Sequence, residues 1–81
     1  MKIALSDRVI EALKDAPPHV RRAFQKQLRF LAANLQHPSL HAKKYDESRD
    51  LWQARVNKSW CFFFTIADDF YRIEDVTPHP K

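Results

Sequence analysis

Three side chains of different chemistry are predicted to meet at one end of a small sheet. Arg55, Cys61 and His79 supply a cation, a thiol and an imidazole. A guanidinium holds anionic oxygens with a rigid fork of donors, and an imidazole gives or takes protons near neutral pH. A thiol beside an imidazole can also form a nucleophile, with Glu74 or Asp75 as the orienting third group. A Cys and a His coincide readily in a short chain, however, and a half-buried Cys is more often a small apolar residue.

Three consecutive strands would position these side chains. The segments L-W-Q-A-R-V, W-C-F-F-F-T-I and F-Y-R-I-E-D-V are rich in aromatic and β-branched residues, and the breaks N-K-S and A-D-D separate them. A loop over residues 57–59 places Arg55 directly across from Cys61. The pairs on the apolar face would be Val56–Trp60, Ala54–Phe62, Trp52–Phe64, Ile66–Tyr71 and Phe64–Ile73. The other face, here called the open face, would carry Gln53, Arg55, Cys61, Phe63, Thr65, Arg72, Glu74 and Val76. By default such a face holds ordinary solvated residues.

Two helices are predicted before the strands. Ser6 or Asp7 can cap a helix that runs to about Lys14, because two prolines follow shortly afterwards. A second helix is predicted over residues 18–36, where apolar side chains recur every three or four positions. It should end there, because the residue before Pro38 disfavours helical backbone.

This order of elements predicts an α+β domain. Two N-terminal helices would pack on the apolar face of a small, mainly antiparallel sheet, with residues 2–5 as a candidate edge strand and residues 39–49 as a polar connection. One domain should span residues 1–81, because so short a chain has little core for a second. The predicted core contains Phe24, Leu28, Leu31, Trp52, Phe62, Phe64 and Ile73.

Composition narrows the function. The 81 residues contain no Gly, which excludes the glycine loops of ATP and NAD enzymes, so no cofactor is predicted. The single Cys excludes an internal disulfide and fits a reducing cytoplasm. Residues 20–58 hold nine basic side chains against three acidic ones, which favours an anionic partner such as nucleic acid. His37 and His41 have the spacing of a helical metal site, but Pro38 between them argues against a helix and therefore against a metal.

Taken together, these motifs resemble the RelE/ParE superfamily of bacterial toxins from toxin–antitoxin systems. The similarity covers nearly the whole chain and runs through H-P-S-L, K-K, L-W-x-x-R-V, Trp60, the Phe-rich strand, Y-R-I and His79. Their order and spacing are more specific than any single motif. The resemblance implies a RelE-like compact RNase fold and an mRNA endonuclease that inhibits translation without metal or cofactor. It also implies a cytoplasmic protein whose partners are a cognate antitoxin and mRNA, usually on the ribosome.

The resemblance also implies roles for individual residues. Arg55 would contact the scissile phosphate, and His79 would act as an acid or phosphate ligand. Position 61 departs from the family, because similar sequences usually carry Arg there, and this chain has Cys61. A thiol cannot replace a guanidinium fork, so catalysis should be impaired. RNA contacts are expected from Lys43, Lys44, Lys58 and Phe63.

Two alternatives remain open at the level of sequence. ParE-like members have a similar fold but act on DNA gyrase and lack the nuclease residues, and Cys61 favours that interpretation. Arg55, Lys43, Lys44 and His79 favour the nuclease. The other alternative is a catalytically inactive domain that only binds an antitoxin or RNA.

Overall fold

Local sequence explains where both helices begin. The structure is a computed structural model that describes residues 1–78. Helix α1, Asp7–Asp15, begins where the Ser6 hydroxyl accepts a hydrogen bond from the Val9 N–H at 3.2 Å. Helix α2, Pro18–Ala33, starts with a proline, whose missing N–H is not needed in a first turn.

Helix α2 ends three residues earlier than predicted. The Asn34 side chain accepts the N–H of Gln36 at 2.9 Å, and the Asn34 carbonyl accepts the N–H of His37. Asn competes with helical bonding in this way because its side chain satisfies the local backbone. The predicted extension to residue 36 is therefore wrong.

A five-stranded sheet forms the other layer, which confirms the predicted α+β fold. Its strands are β1 Lys2–Leu5, β2 Lys43–Asp46, β3 Leu51–Arg55, β4 Trp60–Ala67 and β5 Phe70–Pro78. They lie in the order β1-β5-β4-β3-β2, and only β1 and β5 pair in parallel. The predicted edge strand β1 is present. Strand β2 lies inside the segment predicted to be a connection, after a 3₁₀ turn at Pro38–Leu40.

The hairpin register agrees with the prediction up to one bulge. The pairs Trp52–Phe64, Ala54–Phe62 and Arg55–Cys61 form between β3 and β4, and β4 joins β5 through Phe64–Ile73 and Ile66–Tyr71.

An extra residue in β5 changes the register beyond that point. Phe64 lies opposite Ile73, but Phe63 lies opposite Asp75, so Glu74 is the additional residue of a β-bulge. Val76 consequently turns into the core, where 3% of it is exposed. Thr77, and not the predicted Val76, lies beside Cys61 on the open face.

Aromatic rings dominate the core between α2 and the sheet. Phe24 meets Phe62 edge to face with 5.4 Å between ring centroids, and Phe64 meets Tyr71 in the same way at 5.6 Å. Such pairs stabilise beyond the area that they bury. Five of the seven predicted core residues are fully buried, while Leu28 and Trp52 pack against the core at its margin.

Three turns adopt left-handed backbone without glycine. His41, Asp50 and Asp68 have φ of 46°, 53° and 50°. His and Asp tolerate this region better than most residues. His41 thereby redirects the chain from the 3₁₀ turn into β2, which places it above the open face. None of the helices within residues 1–78 is long and apolar enough to cross a membrane.

Candidate active site

A cleft of about 310 Å³ lies on the open face, where β2, β3 and β4 meet. It brings together two residues predicted to be catalytic, Arg55 and Cys61, and one predicted RNA contact, Lys43. It also contains His41 and Gln53, which the sequence reasoning did not assign to the site. The full lining is His41, Ala42, Lys43, Gln53, Ala54, Arg55 and Cys61.

Arg55 is one of two exposed cations in this cleft, with Lys43. It ends β3, and its guanidinium forms no ion pair with the other described residues. Strand pairing fixes its backbone opposite Cys61. A guanidinium without a carboxylate partner remains available to an anionic oxygen of a ligand.

A buried glutamine of α2 holds two walls of the cleft in place. Gln27, 5% exposed, donates through Nε2 to the carbonyls of Arg55 at 2.8 Å and Ser39 at 3.1 Å. The Ser39 hydroxyl donates back to Gln27 Oε1 at 3.3 Å. One side chain therefore ties α2 to the end of β3 and to the 3₁₀ turn that precedes His41.

Replacing Gln27 by leucine should lower the free energy of unfolding by about 1–3 kcal/mol, because two carbonyls would lose their donor. Urea unfolding followed by tryptophan fluorescence measures the loss. Gln25→Leu is the matched control, since Gln25 is exposed on the same helix and should change stability by less than about 0.5 kcal/mol. Equal stability of the Gln27→Leu and wild-type proteins would contradict the proposed tie.

Cys61 faces the cleft but is fully buried, with none of its surface exposed. Its Sγ lies 3.6 Å from Gln53 Nε2 and 3.7 Å from Thr77 Oγ1. The carboxylates suggested as orienting groups point elsewhere, since Asp75 pairs with Arg8 at 3.8 Å and Glu74 accepts from the Thr65 hydroxyl at 3.3 Å. A cysteine nucleophile needs an activating base or cation next to it, so this arrangement favours a packed side chain over a nucleophile.

The two adjacent lysines lie on opposite faces of β2. Lys43 pairs with Gln53 on the open face and is exposed at the cleft. Lys44 pairs with Trp52, with its Nζ 5.0 Å from the indole centroid, and it donates a hydrogen bond to Asp50. Strand alternation separates them, so only Lys43 is placed to meet a ligand in the cleft.

The remaining predicted contacts lie around the cleft. Lys58 is exposed in the loop after Arg55, between β3 and β4. Phe63 is partly exposed on the open face and contacts Tyr45. His79 lies outside the described residues; Pro78, the last of these, pairs with Trp60.

The shifted pKa values belong to the turn between β2 and β3 and not to the cleft. The hydrogen bond to Asp50 raises the pKa of Lys44, against a smaller opposing effect of desolvation. The Ser48 hydroxyl, with the N–H groups of Arg49 and Ser48, lowers the pKa of Asp46 below its ordinary value of 3.8. The Asp46 contribution to stability is therefore present above that ordinary value and is lost as the pH falls through the lowered one.

Within residues 1–78, His, Cys, Asp and Glu side chains form no group of three that could hold a metal ion. The cleft instead offers an imidazole at His41, cations at Lys43 and Arg55, and the amide of Gln53. His41 escaped the sequence reasoning because it was considered only as a metal ligand paired with His37. The His37 ring is stacked on the Phe30 ring, with 3.8 Å between their centroids.

This chain is similar to known proteins in its structure. No family model matches the sequence, and no curated protein is significantly similar to it. The archaeal RelE of the RelE–RelB complex from Pyrococcus horikoshii is 18% identical, with a TM-score of 0.80 over 95% of this chain and 92% of that one. The YoeB/ParE toxin from Agrobacterium tumefaciens is 9% identical, with a TM-score of 0.80 over 99% and 100%.

A third similar structure comes from the YoeB–YefM toxin–antitoxin complex of Staphylococcus aureus, with 15% identity and a TM-score of 0.76 over 99% of this chain and 98% of that one. These three matches cover between 95% and 99% of this chain. The chain therefore has the fold of the RelE/ParE superfamily of toxins, as its sequence predicted.

Proposed function

We propose that this protein is the toxin of a toxin–antitoxin system and cuts mRNA as a metal-independent endoribonuclease, which inhibits translation. The observation that carries the proposal is the guanidinium of Arg55, which has no acidic partner among residues 1–78 and shares a cleft with His41 and Lys43. The fold is shared with RelE and YoeB toxins.

The reaction begins when a ribose 2′-oxygen attacks the adjacent phosphorus. A base removes the 2′ proton, the bond from phosphorus to the 5′-oxygen breaks, and an acid protonates that oxygen, leaving a 2′,3′-cyclic phosphate. His41, at the rim of the cleft, is placed to be the base. His79 is the acid that the sequence resemblance implies. Arg55 and Lys43 offset the charge that develops on the phosphate oxygens.

Cys61 weakens this machinery in our proposal. The buried thiol lies opposite Arg55, where the family usually supplies a second guanidinium. A thiol lacks the fixed donors of a guanidinium, and loss of one group that stabilises the transition-state phosphate costs about 10²–10³ in rate. The protein should therefore bind RNA well and cleave it slowly.

A cognate antitoxin is the proposed protein partner. The related toxins from Pyrococcus horikoshii and Staphylococcus aureus form complexes with the antitoxins RelB and YefM. We place the protein in the cytoplasm, where its proposed substrate, mRNA on the ribosome, is found. Residues 1–81 would act as one domain.

The second candidate function is inhibition of DNA gyrase, and the observation that favours it is Cys61 in place of arginine. One of the similar structures is itself named a YoeB/ParE toxin. A supercoiling assay with purified gyrase separates the two functions. Inhibition of supercoiling without RNA cleavage would select the gyrase-directed activity.

The two lysines test the proposed RNA site. Lys43→Ala should weaken binding of single-stranded RNA and lower the log–log salt slope by about 0.7, because one phosphate contact is lost. Lys44→Ala is the matched control and should bind as the wild type does, since Lys44 faces the other side of the sheet. Fluorescence anisotropy measures the affinity of both variants at salt concentrations from about 50 to about 200 mM, over which phosphate contacts make the affinity fall steeply.

Cleavage is assayed in the same preparations with EDTA present. Slow cleavage that leaves cyclic phosphate ends, weakened by Lys43→Ala alone, is the expected result. Equal effects of the two substitutions would remove the cleft as the RNA site. An RNA that neither binds nor is cut would overturn the proposed function.

A further inference from the structure

Tyr45 is the most exposed large apolar side chain in residues 1–78, with 59% of its surface accessible. It is the bulged residue of β2, between Lys44 and Asp46. The Tyr45 ring packs edge to face against the Phe63 ring, with 4.9 Å between centroids and 66° between planes. An exposed ring held by a neighbour loses little freedom when a ligand stacks on it.

The ring pair lies next to the proposed cleavage cleft. Phe63 pairs across the strands with Gln53, which lines that cleft, while Arg55 and Cys61 form the next row on the same face. Two residues along a strand span about 6.6 Å. That distance is close to the length of one nucleotide, so Phe63 lies about one nucleotide from the proposed site of the scissile phosphate, and Tyr45, two residues past Lys43 in β2, lies somewhat farther along the same face.

Tyr45 and Phe63 also line a second depression, of about 290 Å³. Leu51, 6% exposed, is part of its lining and lies outside the main core. The polar residues around it are Arg8, Arg49, Glu74 and Asp75. The depression therefore combines two aromatic rings and one aliphatic side chain with four charged groups, which gives a base both a stacking surface and hydrogen-bonding partners.

The charges around this depression favour a base over a phosphate. The two guanidiniums and two carboxylates of the lining balance in charge. Arg8 lies 3.8 Å from Asp75, and Arg49 lies 4.0 Å from Asp46, which is outside the lining. A phosphate would therefore meet no net positive charge here. A neutral nucleobase has both donors and acceptors on its edge and a flat face for the rings.

We propose that Tyr45, held by Phe63, is the stacking platform for one unpaired nucleobase of the RNA, within about one or two nucleotides of the phosphate that enters the cleft. This inference rests on the proposed endoribonuclease function. It adds a binding subsite that the sequence did not indicate, since Phe63 was the one aromatic residue expected to contact RNA, beside three lysines.

The test uses short, fluorescein-labelled, single-stranded RNA with 2′-O-methyl riboses, which lack the attacking hydroxyl and remain intact. A set of these oligonucleotides carries one abasic nucleotide at each position in turn. Tyr45→Ala removes the platform, Tyr45→Phe keeps the ring, and Tyr45→Leu keeps apolar surface without a ring. Thermal unfolding of each variant verifies the fold.

Removing one particular base should weaken binding to the wild-type protein by between about 5-fold and about 100-fold. Tyr45→Ala should weaken binding of the intact RNA by the same factor and should no longer respond to that abasic position. Tyr45→Phe should behave as the wild type, and Tyr45→Leu should behave as Tyr45→Ala.

The outcomes separate the two levels of the proposal. If Lys43→Ala weakens RNA binding but Tyr45→Ala does not, the platform is wrong and the proposed function stands. If Tyr45→Ala affects only capture of a co-expressed antitoxin, the surface docks a protein and the platform is equally wrong. If the wild-type protein binds no RNA, both fall together.

Discussion

Replacing Cys61 by arginine should raise the rate of RNA cleavage by about 10²–10³-fold, the usual effect of one transition-state stabiliser. The position lies opposite Arg55 and opens onto the cleft, so a new guanidinium would stand across the same phosphate. Its fixed fork of donors matches phosphate oxygens, which the thiol cannot do. Initial rates on single-stranded RNA in EDTA measure the gain, and growth arrest with mapped mRNA 5′ ends measures it in cells.

The same substitution should cost about 1–3 kcal/mol of stability, because Cys61 is fully buried and a longer side chain must displace its neighbours. Urea unfolding separates this cost from the gain in activity. Cys61→Lys is the informative comparison, since it supplies charge without the planar fork and should gain less. The Cys61→Arg/His79→Ala double variant should lose most of the gain.

Two results would count against this prediction. A folded Cys61→Arg protein that remains inert would favour the gyrase-directed or binding-only alternatives. So would a double variant that cleaves as fast as Cys61→Arg alone, because the proposed acid would then have no role.

Replacing Arg55 by glutamine should lower cleavage by about 10²–10³-fold, measured in the Cys61→Arg background so that the slower rate stays detectable. The guanidinium is an exposed cation in the lining of the cleft, and glutamine keeps a polar side chain of moderate length. The fold should be preserved, because Gln27 binds the backbone carbonyl of Arg55 and not its side chain. The cleavage rate of the Arg55→Lys variant should lie between those of the unchanged Arg55 protein and the Arg55→Gln variant, because lysine supplies a charge without the planar fork of donors.

Arg72→Gln is the matched control for this experiment. Arg72 is exposed on β5 opposite Thr65, on the open face but outside the cleft lining. Its loss should leave the cleavage rate within about 2-fold, as expected for an exposed side chain with no part in the site. Equal losses for Arg55→Gln and Arg72→Gln would show a general effect of net charge and would remove Arg55 from the catalytic role.

The hairpin register could be predicted from sequence because several independent signals agree. Apolar residues alternate with polar ones from Trp52 to Arg55 in β3, the loop at residues 57–59 is short, and an error of one position would have exposed Phe62 and Phe64. The same agreement predicted the α+β fold and the resemblance to the RelE/ParE superfamily.

The bulge at Glu74 could not be predicted, because one inserted residue leaves no compositional mark. Side chains alternate between the two faces of the sheet before and after Glu74. Every later side chain in β5, however, lies on the face opposite to the one predicted. Val76 thereby entered the core and Thr77 took the place beside Cys61. Strand β2 was missed for a related reason, since a short edge strand with charged residues resembles a connection.

The composition of the cleft was decided by tertiary structure. Sequence alone determined that Arg55 and Cys61 face each other, because strand pairing at short range is a local property. The positions of His41, Lys43 and Tyr45 depend on the left-handed turn at His41, on the Gln27 bonds to Ser39 and Arg55, and on the pairing of β2 with β3. The Gln27 bonds join residues 12 and 28 positions apart, and neither the turn at His41 nor the bulge at Tyr45 leaves a compositional mark, so no local pattern records which side chains they bring to the site.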